Sequence, residues 1–200
     1  MSVTKVNADV LDLTDAYALS GTVAFSGTVT GDNVGKIVSA VTASSSATVS
    51  FTGMETGYDH LVTMSAVAPA TDSQYLIAQL GVTGPTYRTS GYLSIVIGMN
   101  ASSGAVNKTS DTADFTLHST VQGSAADETA HNEIILYDNA AATDTYASFH
   151  GTMKNASGVG YTSQGGGFHN EASAKTAIQF KYDSGNIAAG FFKLYRRANA

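Results

Sequence analysis

Five histidines, sixteen acidic side chains and ten tyrosines are the residues of this 200-residue chain whose types could do chemistry. A zinc centre usually draws on at least one local pair of ligands at i, i+2 or i, i+4. His60, His118, His131, His150 and His169 lie in separate segments with no such pair. His118 and His150 read instead as alternating strand positions, and at a symmetry axis either would form a pH-sensitive contact. The carboxylates group as Asp111/Asp114, Asp127/Glu128/Glu133 and Asp138/Asp144. A glycosidase needs two carboxylates facing each other across a cleft, and none of these groups has a spacing that implies one. Asp138, Asn139 and Asp144 could approach calcium from a loop, but EF-hand spacing is missing and turn formation is the plainer reading.

The most glycine-dense stretch, Ser163–Phe168 (SQGGGF), has no lysine where a phosphate cradle needs one and no helix to follow it. Its three glycines read as a place where backbone crosses the end of a sheet or meets another subunit closely. A Gly-X-Ser-X-Gly nucleophile elbow is absent. No catalytic residue, metal site or cofactor site is therefore expected. The tyrosines carry more. Tyr58, Tyr87, Tyr92, Tyr137, Tyr146 and Tyr161 fall at strand ends or turns, where an exposed ring can stack on a sugar or anchor a protein interface. The alternative is a core ring with its hydroxyl at the sheet rim. Tyr58, Tyr87, Tyr146 and Tyr161, with Phe168, Arg196 and Arg197, are the candidate interface residues.

Composition narrows the function classes. Apolar residues make up 43% and charged residues only 13%, about half the usual ~25% share. Small residues fill the gap, which suits a β-rich module packed in many copies. A net charge of −6 argues against nucleic acid, which needs a basic stripe. Lys193, Arg196 and Arg197 form the one local basic cluster, read as a solvated chain end or an anchor onto an acidic partner. With no cysteine, stability must come from packing and oligomerisation in a reducing compartment. No apolar run approaches the ~20 residues of a membrane helix, and no basic-then-apolar leader opens the chain. Neither a membrane nor a nucleic acid is an expected partner.

The elements that position these residues read as strands. From Thr48 strand signals recur with turn residues between them, at Thr48–Thr52, His60–Ser65, Tyr75–Leu80 and Tyr92–Met99. They continue at Asp114–Val121, Glu133–Tyr137, Thr145–Lys154, Val159–Thr162, Ile178–Tyr182 and Phe191–Tyr195. Tyr92–Met99 (YLSIVIGM) is nearly continuous in apolar residues and reads as central, and Glu133–Tyr137 as another interior strand. Ala125–Thr129 and Asn170–Lys175 offer single helical turns at most. Residues 1–47 differ in texture, with the near-repeat GTVAFSGTVTG at Gly21–Gly31, a strand at Ile37–Val41 and a small polar linker at Thr42–Ala47. They read as an N-terminal arm or small β subdomain, followed by a main domain over residues 48–200. The expected fold is all-β, an antiparallel two-sheet sandwich of jelly-roll type, with an up-and-down barrel second.

The last stretch, Ala177–Arg197 (AIQFKYDSGNIAAGFFKLYRR), organises the rest. Ile178, Phe180 and Tyr182 alternate with Gln179 and Lys181, Asp183–Asn186 is turn chemistry, and Phe191–Tyr195 alternates again. Two apolar strands at the close of a chain need a sheet already waiting for them. This ending resembles the closing hairpin of small β-sandwich proteins of tailed bacteriophages. Val49–His60 (VSFTGMETGYDH) is similar to that family's first strand and Tyr-Asp turn, and Ser148–Gly167 to its late strand and Gly-rich loop. The resemblance spans about residues 48–197. It implies a non-enzymatic virion structural protein, either a capsid decoration or cement protein, a head fibre or a tail-fibre module. It also implies a homotrimer on the virion surface, made in the host cytoplasm, whose partners are its own copies, the major capsid protein or another virion protein, and possible host glycan for a tail fibre. Thr48–Thr52 or Phe191–Tyr195 would be the edge strands that add to a partner's sheet.

Overall fold

The structure is a computed structural model that describes residues 36–137 and 144–198. The expected arm strands before residue 36, and Asp138 and Asn139, read as a turn, lie outside the described residues. The rest forms two antiparallel sheets, with no helix among the described residues. The larger sheet has eight strands in the order β1 (Lys36–Ser46), β13 (Ile187–Ala198), β3 (Tyr58–Pro69), β9 (Ala130–Tyr137), β10 (Thr145–Lys154), β11 (Gly160–His169), β6 (Tyr92–Asn100), β7 (Val106–Asp111). In the smaller sheet β2 (Val49–Thr52), β12 (Ala177–Tyr182), β4 (Leu76–Val82) and β5 (Thr86–Tyr87) follow one another, and β8 (Phe115–Thr116) also pairs with β4.

Period-two alternation explains why these segments are strands and which face each one buries. In β10 the side chains of Thr145, Ala147, Phe149 and Met153 turn inward while Tyr146, His150 and Thr152 turn out. The inward sets of both sheets meet in one core: Val62, Met64, Ile134, Phe192 and Leu194 from the larger, Phe51, Leu76, Leu80, Ile178 and Phe180 from the smaller. Phe180 and Phe192 meet across it with ring centroids 5.6 Å apart.

Several expectations are corrected. β12 and β13 do not form a hairpin, because β12 sits between β2 and β4 in one sheet and β13 between β1 and β3 in the other. The turn Asp183–Asn186 crosses from sheet to sheet. Gly185 takes φ +76 there, and Asp183 Oδ1 accepts the Tyr75 N–H at 3.0 Å. Phe191–Tyr195 is accordingly interior and cannot add to a partner, whereas β2 is an edge strand. Thr42–Ser46 is no linker: β1 runs through it, paired with β13 from Lys36↔Arg196 to Ser46↔Ile187. β6 is next to the edge instead of central, and Tyr58 and Asp59 open β3 instead of forming a turn. Asp114–Val121 shrinks to the two residues of β8.

The loop Asn170–Thr176, which carries the chain from the larger sheet to the smaller, is not helical either. Arg88 holds Glu171 with two bonds of 2.8 and 2.6 Å. That guanidinium, above all, brings the Glu171 carboxyl down to about 2. The buried Lys175 ammonium donates to the backbone oxygens of Glu171 (2.9 Å) and Ser173 (2.6 Å).

The three glycines lie inside β11, between β10 and β6, and not at the sheet's end. A Cβ on Gly165 would fall 2.4 Å from the Phe149 ring and 2.5 Å from the Ile95 oxygen; one on Gly167 would fall 2.2 Å from the Leu93 oxygen. Phe149, the cross-strand partner of Gly165, fills the space its missing side chain leaves. Gly160, in the same strand, would put a Cβ 3.6 Å from Ala101, an ordinary contact. Gly167→Ala is therefore expected to destabilise the fold by about 1–3 kcal/mol and Gly160→Ala to leave it nearly unchanged. Urea unfolding of the two variants checks this, and equal losses would contradict it.

Candidate interaction face

β6 is built inside out. Toward the core it presents Tyr92, Ser94, Val96 and Gly98; toward solvent it presents Leu93, Ile95, Ile97 and Met99, which are 53%, 44%, 47% and 51% exposed. Small inward residues leave room for neighbours from the β8 segment. Ser94 Oγ donates to the Asp114 oxygen at 3.0 Å, and Ser119 Oγ lies 3.4 Å from Ser163 Oγ above Gly98. A slip of one residue would bury the apolar set, so the register must be held. Tyr92 holds it. Its ring meets Phe115 and His169 edge-on at 5.0 and 4.5 Å, and its hydroxyl accepts the Leu80 N–H at 2.7 Å and donates to the Arg88 oxygen at 3.3 Å.

Cross-strand pairing extends the stripe into a row. Leu93 pairs with Phe168, Phe168 with Tyr146, and Tyr146 with Tyr137. The Tyr146 and Phe168 rings are 5.6 Å apart, and the Tyr137 hydroxyl bonds Ser148 Oγ at 2.9 Å. Arg197 and Asp59 face each other on the far side of β9 as an ion pair at 2.8 Å. Shallow grooves flank the β6 ridge, one along β7 beside Leu93 and Ile95, the other along β11 beside Ile97 and Met99.

Of the residues named from sequence, Tyr146 and Phe168 come together on this face, with Arg197 farther along it. Tyr58 and Arg196 form a separate pair, the guanidinium 4.7 Å above the ring and ion-paired to Glu55. Both arginines of the basic cluster are thus already partnered by acids of the same chain, which weakens their reading as an anchor. Tyr87 packs over Gly81 in the smaller sheet, its hydroxyl buried. Tyr161 is buried beside Met153 and Ala130, its hydroxyl accepting from Asn100 at 2.9 Å. The residues missed were Leu93, Ile95, Ile97 and Met99. Their signal was the regular return of Ser94 and Gly98 among larger residues.

The titratable side chains do not converge on this face. Among the described residues no group of three or more histidine or acidic side chains is placed to hold a metal. His60, His118 and His169 are buried, with His118 Nε2 3.1 Å from Asn132 Oδ1 and His169 Nε2 3.0 Å from the Ser90 oxygen. His150 is exposed in β10 and pairs with Glu133 at 2.9 Å. Asp127 pairs with Lys154, and Glu128 accepts the Ala125 N–H at 2.8 Å. No protein family, curated protein or solved structure matches this chain.

Two buried groups are opposed in pH. Burial, then the neighbouring Asp111 carboxylate, pushes Asp114 up to about 6; burial pushes His118 down to about 4. Asp114, raised on folding, stabilises fully below its ordinary 3.8 and loses that contribution as pH rises through about 6. His118, lowered on folding, stabilises fully above its ordinary 6.5 and loses that contribution as pH falls through about 4. Between these limits the two slopes oppose each other. Asp114→Asn is expected to add roughly 2 kcal/mol at pH 7.5 and to expose a fall in stability between pH 6.5 and 4. Urea midpoints measured across that range test it; a profile parallel to wild type would refute the assignment.

Proposed function

We propose that the chain is a non-enzymatic structural protein of a tailed-phage virion. In this reading it is a jelly-roll-like sandwich set on the particle surface as a capsid decoration, cement or head-fibre protein. The observation that carries the reading is the outward apolar stripe of β6, Leu93, Ile95, Ile97 and Met99, continued by Phe168 of β11. A strand that turns four large aliphatic side chains to solvent, with its register fixed from inside, is built to adhere. The sequence resemblance supplies the setting, and the two antiparallel sheets are compatible with it. Copies of such a module that adhere to one another across neighbouring capsid subunits bury apolar surface, and that buried area opposes the outward pressure of packaged DNA. The edge strand β2 offers a second mode of contact, addition to a partner's sheet.

A second reading, a tail-fibre module that takes host surface glycan, is favoured by the aromatic row Phe168–Tyr146–Tyr137 with polar groups beside it. Stacked rings with nearby hydrogen-bonding groups are how sugars are held. Quantitative mass spectrometry of purified particles separates the two. The head reading expects far more copies than a particle has fibres; a count matching the fibres favours the tail, and absence from particles overturns both.

A further inference from the structure

Resting on the adhesive reading of this face, and in place of the homotrimer that the resemblance implies, we infer that its occupant is a second copy of the same chain, packed face to face across a twofold axis that runs between the two copies of β6. Area is the first argument. Leu93, Ile95, Ile97, Met99, Val106 and Tyr146 are between 44% and 63% exposed. Together with Tyr137 and Phe168 they offer roughly 700 Å², above the ~300–600 Å² of the largest patch on a typical monomer and near the ~800 Å² each partner contributes to a standard interface.

Charge is the second argument. Each copy carries a net charge of −6, so two copies can approach closely only where neither presents bare acid. The outward positions of β6 and β11 carry no formal charge. Of the acids at the margin, Asp59 is ion-paired with Arg197, Glu133 lies 2.9 Å from His150 Nε2, and Asp111, which lines the groove beside Leu93, accepts the Ala113 N–H at 2.6 Å. Lys108 on β7, level with Ile97, adds a cation and not another acid.

Shape is the third. A twofold interface uses one patch twice, so the patch must fit itself. Here a ridge runs between two grooves that lie on opposite flanks at opposite ends of β6: along β7 beside Leu93 and Ile95, and along β11 beside Ile97 and Met99. Face-packed sheets cross at ~30°. A partner's ridge crossing at that angle passes from one groove to the other, and the twofold returns the same fit. Gly166, outward between Ile95 and Ser148, keeps the floor beside the ridge open.

Sedimentation equilibrium of the full chain tests the inference. Wild type is expected to self-associate, and Ile95→Lys/Ile97→Lys to weaken association by about 100-fold with an unchanged circular dichroism spectrum and, at concentrations dilute enough for wild type to be monomeric, an unchanged melting temperature. Because the chain has no cysteine, Ile97→Cys supplies a unique thiol on an otherwise native surface. It is expected to oxidise to a covalent dimer, while Ser184→Cys in the exposed sheet-crossing turn stays monomeric. A wild type that remains monomeric, association untouched by the lysines, or equal cross-linking at both thiols overturns the inference. So does glycan or another virion protein occupying the face of a monomer. A monomeric chain that still decorates particles defeats this inference alone, and a self-associating chain absent from particles defeats the virion reading alone.

Discussion

Tyr92 is the constraint on which the surface depends. It belongs to the larger sheet, yet its hydroxyl takes the backbone N–H of Leu80 in the smaller one. One side chain therefore ties the layers together and fixes which residues of β6 look inward. Removing the oxygen would leave a buried amide unpaired, a penalty of about 1–3 kcal/mol. Burial also pushes its phenol upward, so the ring stays neutral and the bond persists across the physiological range. With Tyr92 inward, strand alternation leaves Leu93, Ile95, Ile97 and Met99 no place but solvent.

The interior between the sheets is more polar than its position suggests, and its glutamine and serines are hydrogen-bonded. Gln122 links three elements: its amide donates to the oxygens of Val67 (2.7 Å) and Glu128 (2.9 Å), and its carbonyl accepts the Tyr182 hydroxyl at 2.8 Å. Ser94, Ser119 and Ser163 fill the space around Gly98. Connected polar groups of this kind specify one arrangement, because any other leaves donors and acceptors dry. The two opposed titrations of Asp114 and His118 arise from the same burial.

The sequence carried element identity well and element placement poorly. Thr145–Lys154, Ile178–Tyr182 and Phe191–Tyr195 were legible because period-two alternation is a local property. That β12 and β13 separate into different sheets was not, since Asp183–Asn186 has the composition of a hairpin turn and the crossing is decided by partners more than a hundred residues away, such as Ser50 and Val62. β11 read as ending near Thr162 because glycine weakens strand propensity; only the neighbouring Phe149 ring and the β6 backbone explain why glycine is required there. YLSIVIGM read as a buried run because serine and glycine hardly interrupt an apolar average. Its two faces separate once Ser94 and Gly98 are seen as the inward positions. Tyr146 and Phe168 were named as exposed aromatics, but their union needed the β10–β11 register.

Exposed apolar strands invite uncontrolled aggregation, and the way this chain limits that danger bears on what its surface is for. Open strands pair edge to edge through free backbone groups, and the usual defences are charge, irregularity and polar side chains. Both edges of the larger sheet have them. β7 presents Asn107, Lys108, Thr109, Ser110 and Asp111, and β1 begins at Lys36 and breaks its ladder between Ile37 and Ser39. The flat face between these edges has no such defence. On this sheet, defended edges and an open face leave packing of side chain on side chain as the favoured mode of contact. That mode buries area without extending a sheet indefinitely, and across a twofold axis it ends at two.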